Sequence, residues 1–503
     1  MSRLRSSRRS APVAVIDIGS NSGRVVILQL DPARHLRLLA GSRAPLRLVH
    51  DVDERQKLGE EAMARTIEAV RDFHAIAVGA GARRVVAVAT AAMRDAKNGQ
   101  RLIDRIRREI GVGVEIIDGR REAAYGFAGA VRGMPVSSGL LFDLGGGSVQ
   151  VSTFRSRRLG RATSLPLGAL RLSETFLESD PPKAREIRRL RDHVWKHLKK
   201  AGVKRLRRHE TLVGTGGTVR NLAKIDRSSH IYPISTLHGY VLTFDRVRDV
   251  VRKLAATRES RRDEIPGLSA QRADSIVGGG IAIETLMEYV RADEVLVSGQ
   301  GVREGIALGL LRMSLAPPDE VKEATLASLV RRFDGWDPDA AARRRATAAA
   351  LLGGIDPRTD ASLAEAVDHG ARLLDIGRSF DFFDRHGHVA DVLLTTELDG
   401  FTHQEIALAS AVVRLAGDRH ADPRRLGPLL RRTDHTSLDR AAVVLALADE
   451  IERRCPRGRR IKVSCSVGKD VRVSVPLLPS WRSRDLEQRF EKAFGRELVI
   501  RTG

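Results

Sequence analysis

The residues best suited to chemistry lie in two short segments of similar pattern, DIGSNS at residues 17–22 and DLGGGS at residues 143–148. Each segment begins with an aspartate and reaches a serine five positions later, across small or polar residues. An apolar run typical of a β-strand precedes each aspartate, and a second such run follows each serine. Each segment therefore predicts a turn between two strands that presents a carboxylate and a hydroxyl.

These turns have the composition of a phosphate-binding loop. Convergent backbone N–H groups hold the diffuse negative charge of a phosphate well, and they approach it closely only where no Cβ intervenes. One glycine-rich loop is also compatible with an ordinary hairpin, so the repetition of the pattern is what favours a phosphate site. The candidate donors are Gly145, Gly146, Gly147 and Ser148 in one segment and Asn21 and Ser22 in the other.

A second pair of segments, LVGTGGTVR at residues 212–220 and LVSGQGVRE at residues 296–304, shares a strand, a glycine turn and a helix start. It adds Gly216 and Gly217 as candidate phosphate-binding residues. Two similar halves that face each other across a cleft would account for both pairs. The lysine ending of a P-loop and the GxGxxG fingerprint are absent from the sequence, which excludes P-loop and dinucleotide-binding folds.

Asp143 stands where a predicted strand enters its loop. If a phosphate binds beside it, the carboxylate repels the phosphate unless a cation lies between them, and Mg²⁺ suits a carboxylate combined with phosphate oxygens. Alternatively, Asp143 accepts N–H bonds and caps the turn. The residues themselves leave both roles open.

The composition predicts a soluble, cytoplasmic protein that attracts anions. There are 86 Lys and Arg against 63 Asp and Glu, a formal charge of +23, and no apolar run is long enough to span a membrane. Residues 183–208 hold twelve of these cations and predict a helix with a basic face, which is either a solvated surface or a track for a polyanion. Aromatic residues make up only 4%, which disfavours a nucleic-acid binder.

The order of predicted elements indicates an α/β fold of two lobes, followed by two smaller domains. Short β-branched runs alternate with helical stretches as far as residue 312, after which the pattern is almost entirely helical and then returns to strands. The predicted parts are a basic disordered tail (1–12), lobe I (13–135), lobe II (136–315), a helical domain (321–455) and a small α+β domain (460–503).

Seven motifs follow one another in the order found in the exopolyphosphatase / guanosine pentaphosphate phosphohydrolase (Ppx/GppA) family, which this sequence resembles densely over residues 13–312. The resemblance implies two actin-like (ribonuclease H-like) lobes, an HD-like helical domain, a small fourth domain and a homodimer. The motifs are VAVIDIGSNSGRVVIL, VATAAMRDAKNG, IIDGRREAAYGFAG, LLFDLGGGSVQVS, LPLGALRLSETF, LVGTGGTVRNLA and VLVSGQGVREGIALG.

The resemblance also implies roles for single residues. Arg94 matches an arginine that reaches into the phosphate site, Arg24 matches a second one, and Glu122 matches the catalytic glutamate. The implied reaction is attack of water on a terminal phosphoryl group, with Mg²⁺ near Asp143 and with Glu122 orienting or deprotonating the water. Such a reaction depends mainly on positioning and on charge stabilisation.

Three positions depart from the family pattern. Many relatives have a glutamate where this chain has Gln150, so the implied metal site of Asp143 and Gln150 lacks one charge. The paired glutamates of the family are here Arg121 and Glu122, and Arg121 is expected to lower the pKa of Glu122 if its guanidinium lies close. In the helical domain, Asp375 has no preceding histidine, so no HD metal site is expected.

Three functions remain open at this point. The leading hypothesis is an exopolyphosphatase that hydrolyses terminal phosphates from inorganic polyphosphate. One alternative is a hydrolase that converts pppGpp to ppGpp. The other is a non-catalytic sensor of (p)ppGpp or polyphosphate, which the neutral side chain of Gln150 favours. No motif in the sequence separates them.

Overall fold

The computed structural model of the chain describes residues 10–48, 56–418, 420–430, 434–459, 461–479 and 481–502. Residues 1–9 of the predicted basic tail lie outside the described residues. No helix in the described ranges combines the length and apolar character needed to cross a bilayer. The chain forms two compact units, one of Met1–His230 with Leu237–Thr325 and one of Ile231–Thr236 with Leu326–Gly503.

The first lobe of the first unit is a mixed sheet with helices. Its strands are β1 (Val13–Ile18), β2 (Ser22–Leu30), β3 (Leu36–Pro45), β4 (Arg84–Ala89) and β5 (Val114–Ile116), in the sheet order β3-β2-β1-β4-β5. β1 pairs antiparallel with β2 and parallel with β4, and its apolar side chains are buried in the lobe. The helices are α1 (Glu60–Gly79), α2 (Ala91–Asp95), α3 (Gly99–Ile110) and α4 (Gly119–Arg132).

The second lobe repeats this arrangement with one additional edge strand. Its strands are β6 (Gly139–Leu144), β7 (Val149–Arg155), β8 (Arg158–Leu165), β9 (Thr211–Thr215), β10 (Tyr240–Thr243) and β11 (Glu294–Val297), in the order β10-β11-β9-β6-β7-β8. The helices are α5 (Ala169–Phe176), α6 (Ala184–Lys200), α7 (Gly217–Ser228), α8 (Phe244–Ala256), α9 (Ile276–Val290) and α10 (Val302–Leu310).

The two sheets have equivalent topology. In each, three antiparallel strands are followed by strands that join the first of them in parallel: β4 beside β1, and β9 beside β6. The turn of the first hairpin carries DIGSNS in one lobe and DLGGGS in the other. This topology confirms the predicted pair of actin-like lobes.

Helix α4 is fixed by an unusually close approach to α10. A Cβ placed on Gly305 would lie 1.9 Å from the carbonyl oxygen of Tyr125, and one placed on Gly129 would lie 1.8 Å from that of Gly301. Only glycine leaves room for such contact between helix backbones. The N-terminus of α4, which carries Glu122, is therefore held firmly against the segment that follows β11.

The second unit is mainly helical and has one continuous hydrophobic core. Helix α11 (Pro318–Val330) leads into it from the first unit. Its further elements are α12 (Pro338–Ile355), α13 (Ala361–Leu373), α14 (Arg385–Thr395), α15 (His403–Gly417), α16 (Asp434–Arg454), β12 (Ser464–Val467), β13 (Val471–Val475), α17 (Arg484–Phe494) and β14 (Leu498–Thr502).

Two features of this unit differ from the predicted boundaries. Val473 and Phe490, from the predicted small domain, are fully buried in the same core as the helices, so residues 460–503 extend that core. The short segment Ile231–Thr236, within predicted lobe II, also belongs to this unit: Ile234 lies in its core, and Tyr232 Oη lies 2.7 Å from His403 Nδ1. No local sequence pattern predicts either of these long-range contacts.

Asp375 is fully buried and surrounded by arginines. Nη2 of Arg344 donates to both of its carboxylate oxygens at 3.0 Å, and Arg378 Nη2 lies 3.1 Å from Oδ1. Arg344 also donates through Nε to Asp449 Oδ1 at 2.9 Å, and Arg385 donates to the same carboxylate. Guanidinium groups thus supply the positive charge around the Asp375 carboxylate.

Candidate active site

A narrow cleft of about 120 Å³ lies in the first unit, where the two hairpin turns meet. A Cβ placed on Gly146 would lie 3.1 Å from Cβ of Asn21, which shows how closely the two turns approach. The glycine turns after β9 and β11 also line it. All four segments singled out in the sequence therefore surround one hollow. The predicted residues that line it are Asn21, Ser22, Arg24, Glu122, Asp143, Gly145, Gly146, Gly147, Ser148, Gln150, Gly216 and Gly217.

The loop between β6 and β7 is shaped for an anion. The N–H of Gly145 donates to the carbonyl of Ser148 at 2.9 Å and closes the turn. The first amides of α5 bind the carbonyls of Gly145 and Gly146, at 2.9 and 3.0 Å, which fixes the loop from behind. Among the described residues, no backbone acceptor pairs with the amides of Gly146 and Gly147. These donors remain available to a ligand.

Three carboxylates lie together in this cleft: Asp17, Asp143 and Glu122. Burial raises the pKa of Asp17, although Arg303 and Arg24 oppose the change. Burial raises the pKa of Asp143 to about 6, against the opposing charge of Arg220. Asp17 raises the pKa of Asp143 further, because each negative charge disfavours the other.

Glu122 is almost completely buried at the first turn of α4. Burial raises its pKa to about 7, the charge of Arg94 opposes this, and Asp143 and Asp17 reinforce it. The condition for an effect of Arg121 on this pKa is not met, because its guanidinium pairs with Glu115 and Tyr125, while Asp118 caps the helix by accepting from the Arg121 amide. Neighbours in sequence on a helix point in different directions, so Arg121 faces away from Glu122.

The structure places Arg94 beside Glu122. Nη1 of Arg94 donates to the carbonyl of Ile117 at 2.8 Å and to Oε2 of Glu122 at 3.3 Å. Arg94 is not among the cleft-lining residues, whereas Arg24 is. In this arrangement Arg94 holds and orients the glutamate.

Three further arginines surround the cleft and were not singled out from the sequence: Arg220, Arg272 and Arg303. Burial and the neighbouring guanidinium groups lower the pKa of Arg24 and of Arg220. Nε and Nη1 of Arg272 are buried and without a hydrogen-bond partner within the described ranges. Such a concentration of positive charge favours a bound anion.

A signal for two of these arginines was present in the sequence. Arg220 and Arg303 both follow a glycine turn in the second repeated pair, in TGGTVR and GQGVR. The valine–arginine dipeptide common to both segments is the local pattern that indicates these two arginines. Arg272 ends a short 3₁₀ turn, Ala270–Arg272, and has no comparable pattern.

Gln150 is buried on β7, with its amide nitrogen committed. Nε2 donates to Ser148 Oγ at 2.8 Å and to Ser164 Oγ at 3.2 Å. The amide therefore tethers the serine of the phosphate loop to the sheet. Its oxygen is the atom left for a cation or for a ligand.

The residues present fit a divalent cation. Asp17 and Asp143 take part in no side-chain hydrogen bond or ion pair with any described residue. Glycines leave space around the Asp143 carboxylate: a Cβ on Gly216 would lie 3.0 Å from Oδ1, and one on Gly126 would lie 3.4 Å from Oδ2. Converging carboxylate oxygens with open space are the ligands that Mg²⁺ prefers.

The basic segment at residues 183–208 has a different location. Its first part forms α6, with Leu190, Val194 and Leu198 buried and its basic side chains exposed. All of its residues are described, and none lines the cleft. Its use as a track for a polyanion remains a prediction.

Comparisons with known proteins follow the same division of the chain. The model of the Ppx/GppA phosphatase family matches residues 26–314, and the model of domain III of that family matches residues 321–471. Exopolyphosphatase 1 of Mycobacterium tuberculosis is 29% identical over 337 residues, which are 66% of this chain and 98% of that protein. Exopolyphosphatase 1 of Mycobacterium leprae is 30% identical over 300 residues, 59% of this chain and 88% of that protein.

Solved structures agree with the sequence comparisons. The Aquifex aeolicus member of the Ppx/GppA family has a TM-score of 0.54 at 30% identity and covers 61% of this chain and 98% of its own. An exopolyphosphatase from Cytophaga hutchinsonii has a TM-score of 0.56 at 27% identity and covers 61% of this chain and 100% of its own.

Proposed function

The chain belongs to the Ppx/GppA phosphatase family and is a phosphoanhydride hydrolase, and we propose that it removes terminal phosphates from inorganic polyphosphate. The observation that carries the proposal is a buried glutamate with a pKa near 7 in a cleft ringed by phosphate-binding loops and arginines. At about 120 Å³ the cleft is far smaller than a pocket for a whole drug-sized ligand. It suits a terminal phosphoryl group with the rest of the substrate outside.

The side chains would share the work as follows. The amides of Gly146 and Gly147 bind phosphoryl oxygens from one lobe, with Asn21 on the other lobe. Arg272 and Arg24 neutralise charge that spreads over these oxygens. Glu122, whose pKa burial raises to about 7, accepts the proton of the attacking water.

A divalent cation would be held by the carboxylates of Asp17 and Asp143 and by the amide oxygen of Gln150. It would supply charge neutralisation between these carboxylates and the phosphate oxygens. Its presence would also favour the ionised forms of Asp17 and Asp143, since burial raises both pKa values and the charge of Asp17 raises that of Asp143 further.

A second candidate substrate, pppGpp, also presents a terminal phosphoryl group. The names of the mycobacterial relatives favour polyphosphate. A direct test is phosphate release from polyphosphate, pppGpp and ATP, each measured with Mg²⁺ and with EDTA. We expect Mg²⁺-dependent release that is fastest from polyphosphate. Faster release from pppGpp would overturn the substrate, and binding without release from any of the three would favour the sensor.

A further inference from the structure

A second, larger cavity of about 540 Å³ lies in lobe II. Strand β6 and strand β7 both reach it: Gly139 and Leu140 line it at the start of β6, and Arg155 lines it at the end of β7. The phosphate loop joins the other ends of these strands. No described residue lines both the cleft and this cavity. The cavity is therefore separate from the active site, and its volume lies in the range of ligand pockets.

The rim of the cavity is strongly cationic. Glu210 is the only acidic residue in the described part of the chain that lines it, and its carboxylate accepts the backbone amide of Arg207 at 2.9 Å. The basic side chains come from the β7–β8 hairpin and from the segment after α6, and they include Arg207. No described residue forms an ion pair with the other five, which are Arg155, Arg158, Arg161, Lys204 and Arg205. This excess of unpaired charge favours an anionic ligand.

The floor of the cavity is apolar. Leu140, Val151 and Phe154 line it from the sheet, and Val203 lines it from the segment opposite. An inorganic phosphate chain is charged along its whole length and gains nothing from such a surface. A ligand with a ring at one end and phosphates at the other would bury the ring on the floor and leave the phosphates at the rim.

The walls of the cavity are held in place. Ser156 and Arg157 form the turn of the β7–β8 hairpin with φ of 47° and 57°, a conformation that non-glycine residues rarely adopt. The buried guanidinium of Arg157 stabilises it by donating to the carbonyls of Val131, Arg132, Met134 and Val136, each at 2.9 Å. A preformed cavity loses little entropy when a ligand binds.

We propose that this cavity is a non-catalytic binding site for a nucleoside polyphosphate. The base and sugar lie on the apolar floor, and the phosphates contact the basic rim. This site does not depend on the reaction proposed above, since none of its lining residues that the structure describes also lines the cleft. It assigns a role to residues 201–207, the end of the basic segment.

Photolabelling with 8-azido-ATP tests the location directly. We expect labelled peptides from residues 151–163 or 201–210, with ATP protecting them at a concentration at least about tenfold lower than inorganic triphosphate does. Label confined to peptides of the cleft would overturn the site. Equal protection by ATP and triphosphate would overturn the nucleoside part of the proposal.

Two charge-reversed variants provide a matched comparison. Arg158→Glu with Arg205→Glu is expected to lower labelling of these peptides at least about tenfold, since each arginine offers a charge-assisted contact to phosphate. Arg185→Glu with Arg188→Glu changes the charge equally on the exposed face of α6, outside the cavity, and is expected to retain labelling within about twofold. Equal losses of labelling in both variants would mean that only the net charge of the protein matters, and would overturn the proposal.

A third variant, Val203→Trp, fills the cavity without changing the charge. It is expected to abolish the label at residues 151–163 and 201–210 while phosphate release from polyphosphate continues. Phosphate release then reports that the variant is folded. Retained labelling in an active Val203→Trp protein would contradict the assignment.

Discussion

Arginines and carboxylates are concentrated in two regions of this molecule, and the two regions use them differently. In the helical unit, Arg344 donates to Asp375 and Asp449 at 2.9 to 3.0 Å, and all three side chains are buried. In the cleft of the first unit, Asp17 and Asp143 lie near Arg24, Arg220 and Arg303, but none of these arginines forms an ion pair with a described residue.

The difference shows which region is built for a ligand. Opposite charges that are hydrogen-bonded to one another, as Arg344 is to Asp375 and Asp449, stabilise a particular packing of helices. In the cleft, burial and neighbouring charges of the same sign raise the pKa of Asp143 and lower that of Arg220. Binding a phosphate together with a cation would relieve both effects.

The largest expected effect separates catalysis from binding in the cleft. Glu122→Gln is expected to lower kcat about 10²- to 10⁴-fold, the usual contribution of a general base. Affinity for inorganic triphosphate, measured by calorimetry, is expected to stay within about threefold because the glutamine retains the shape of the side chain. Parallel loss of turnover and binding would show that Glu122 is a ligand of the phosphate and not the base.

The same variant tests whether the cleft reduces stability. The pKa of Glu122 is about 7 in the folded chain and about 4.3 in an unfolded one, so ionisation favours unfolding as pH rises between these values. The difference in melting temperature, Glu122→Gln minus wild type, is therefore expected to be larger at pH 8 than at pH 5. A constant difference across this range would contradict the raised pKa.

The next effect concerns the buried ion pairs that Arg344 forms with Asp375 and Asp449. Arg344→Met leaves two buried carboxylates short of a partner and is expected to lower the free energy of unfolding by about 3–5 kcal/mol in urea denaturation. Arg345→Met is the matched control, because its ion pair with Asp368 at 2.7 Å is about 40% exposed on both sides. That change is expected to cost no more than about 1 kcal/mol. Equal costs would mean that burial does not distinguish the two arginines.

Much of the cleft could be predicted because its signals are local. The strands β1 and β6 and their glycine turns are contiguous in sequence, and the repeat revealed that two such turns meet. The role proposed for Glu122 came from the family resemblance, since a glutamate at the start of a helix has no distinctive local pattern.

The remaining parts depend on contacts between distant segments. Arg272 reaches the cleft from a short 3₁₀ turn, and only the packing of its guanidinium over Gly217 places it there: a Cβ on Gly217 would lie 2.6 Å from Arg272 Cζ. The contact between Tyr232 and His403 joins residues that are 171 positions apart. Arg121 was expected to lower the pKa of Glu122 only if its guanidinium lay close, and the fold turns that guanidinium toward Glu115.

The smallest expected effect concerns Arg94, which forms an ion pair with Glu122, unlike the arginines that line the cleft, which form no ion pair with a described residue. The charge of Arg94 lowers the pKa of Glu122 against the effect of burial, so removing it should raise that pKa above about 7. Arg94→Gln is expected to move the midpoint of the pH–kcat/KM profile upward by about one unit, and Arg94→Lys, which keeps the charge, by less. The loss of activity in Arg94→Gln should therefore be greater at pH 6 than at pH 9. A uniform loss at every pH, with an unmoved midpoint, would mean that Arg94 binds phosphate directly and does not act through the glutamate.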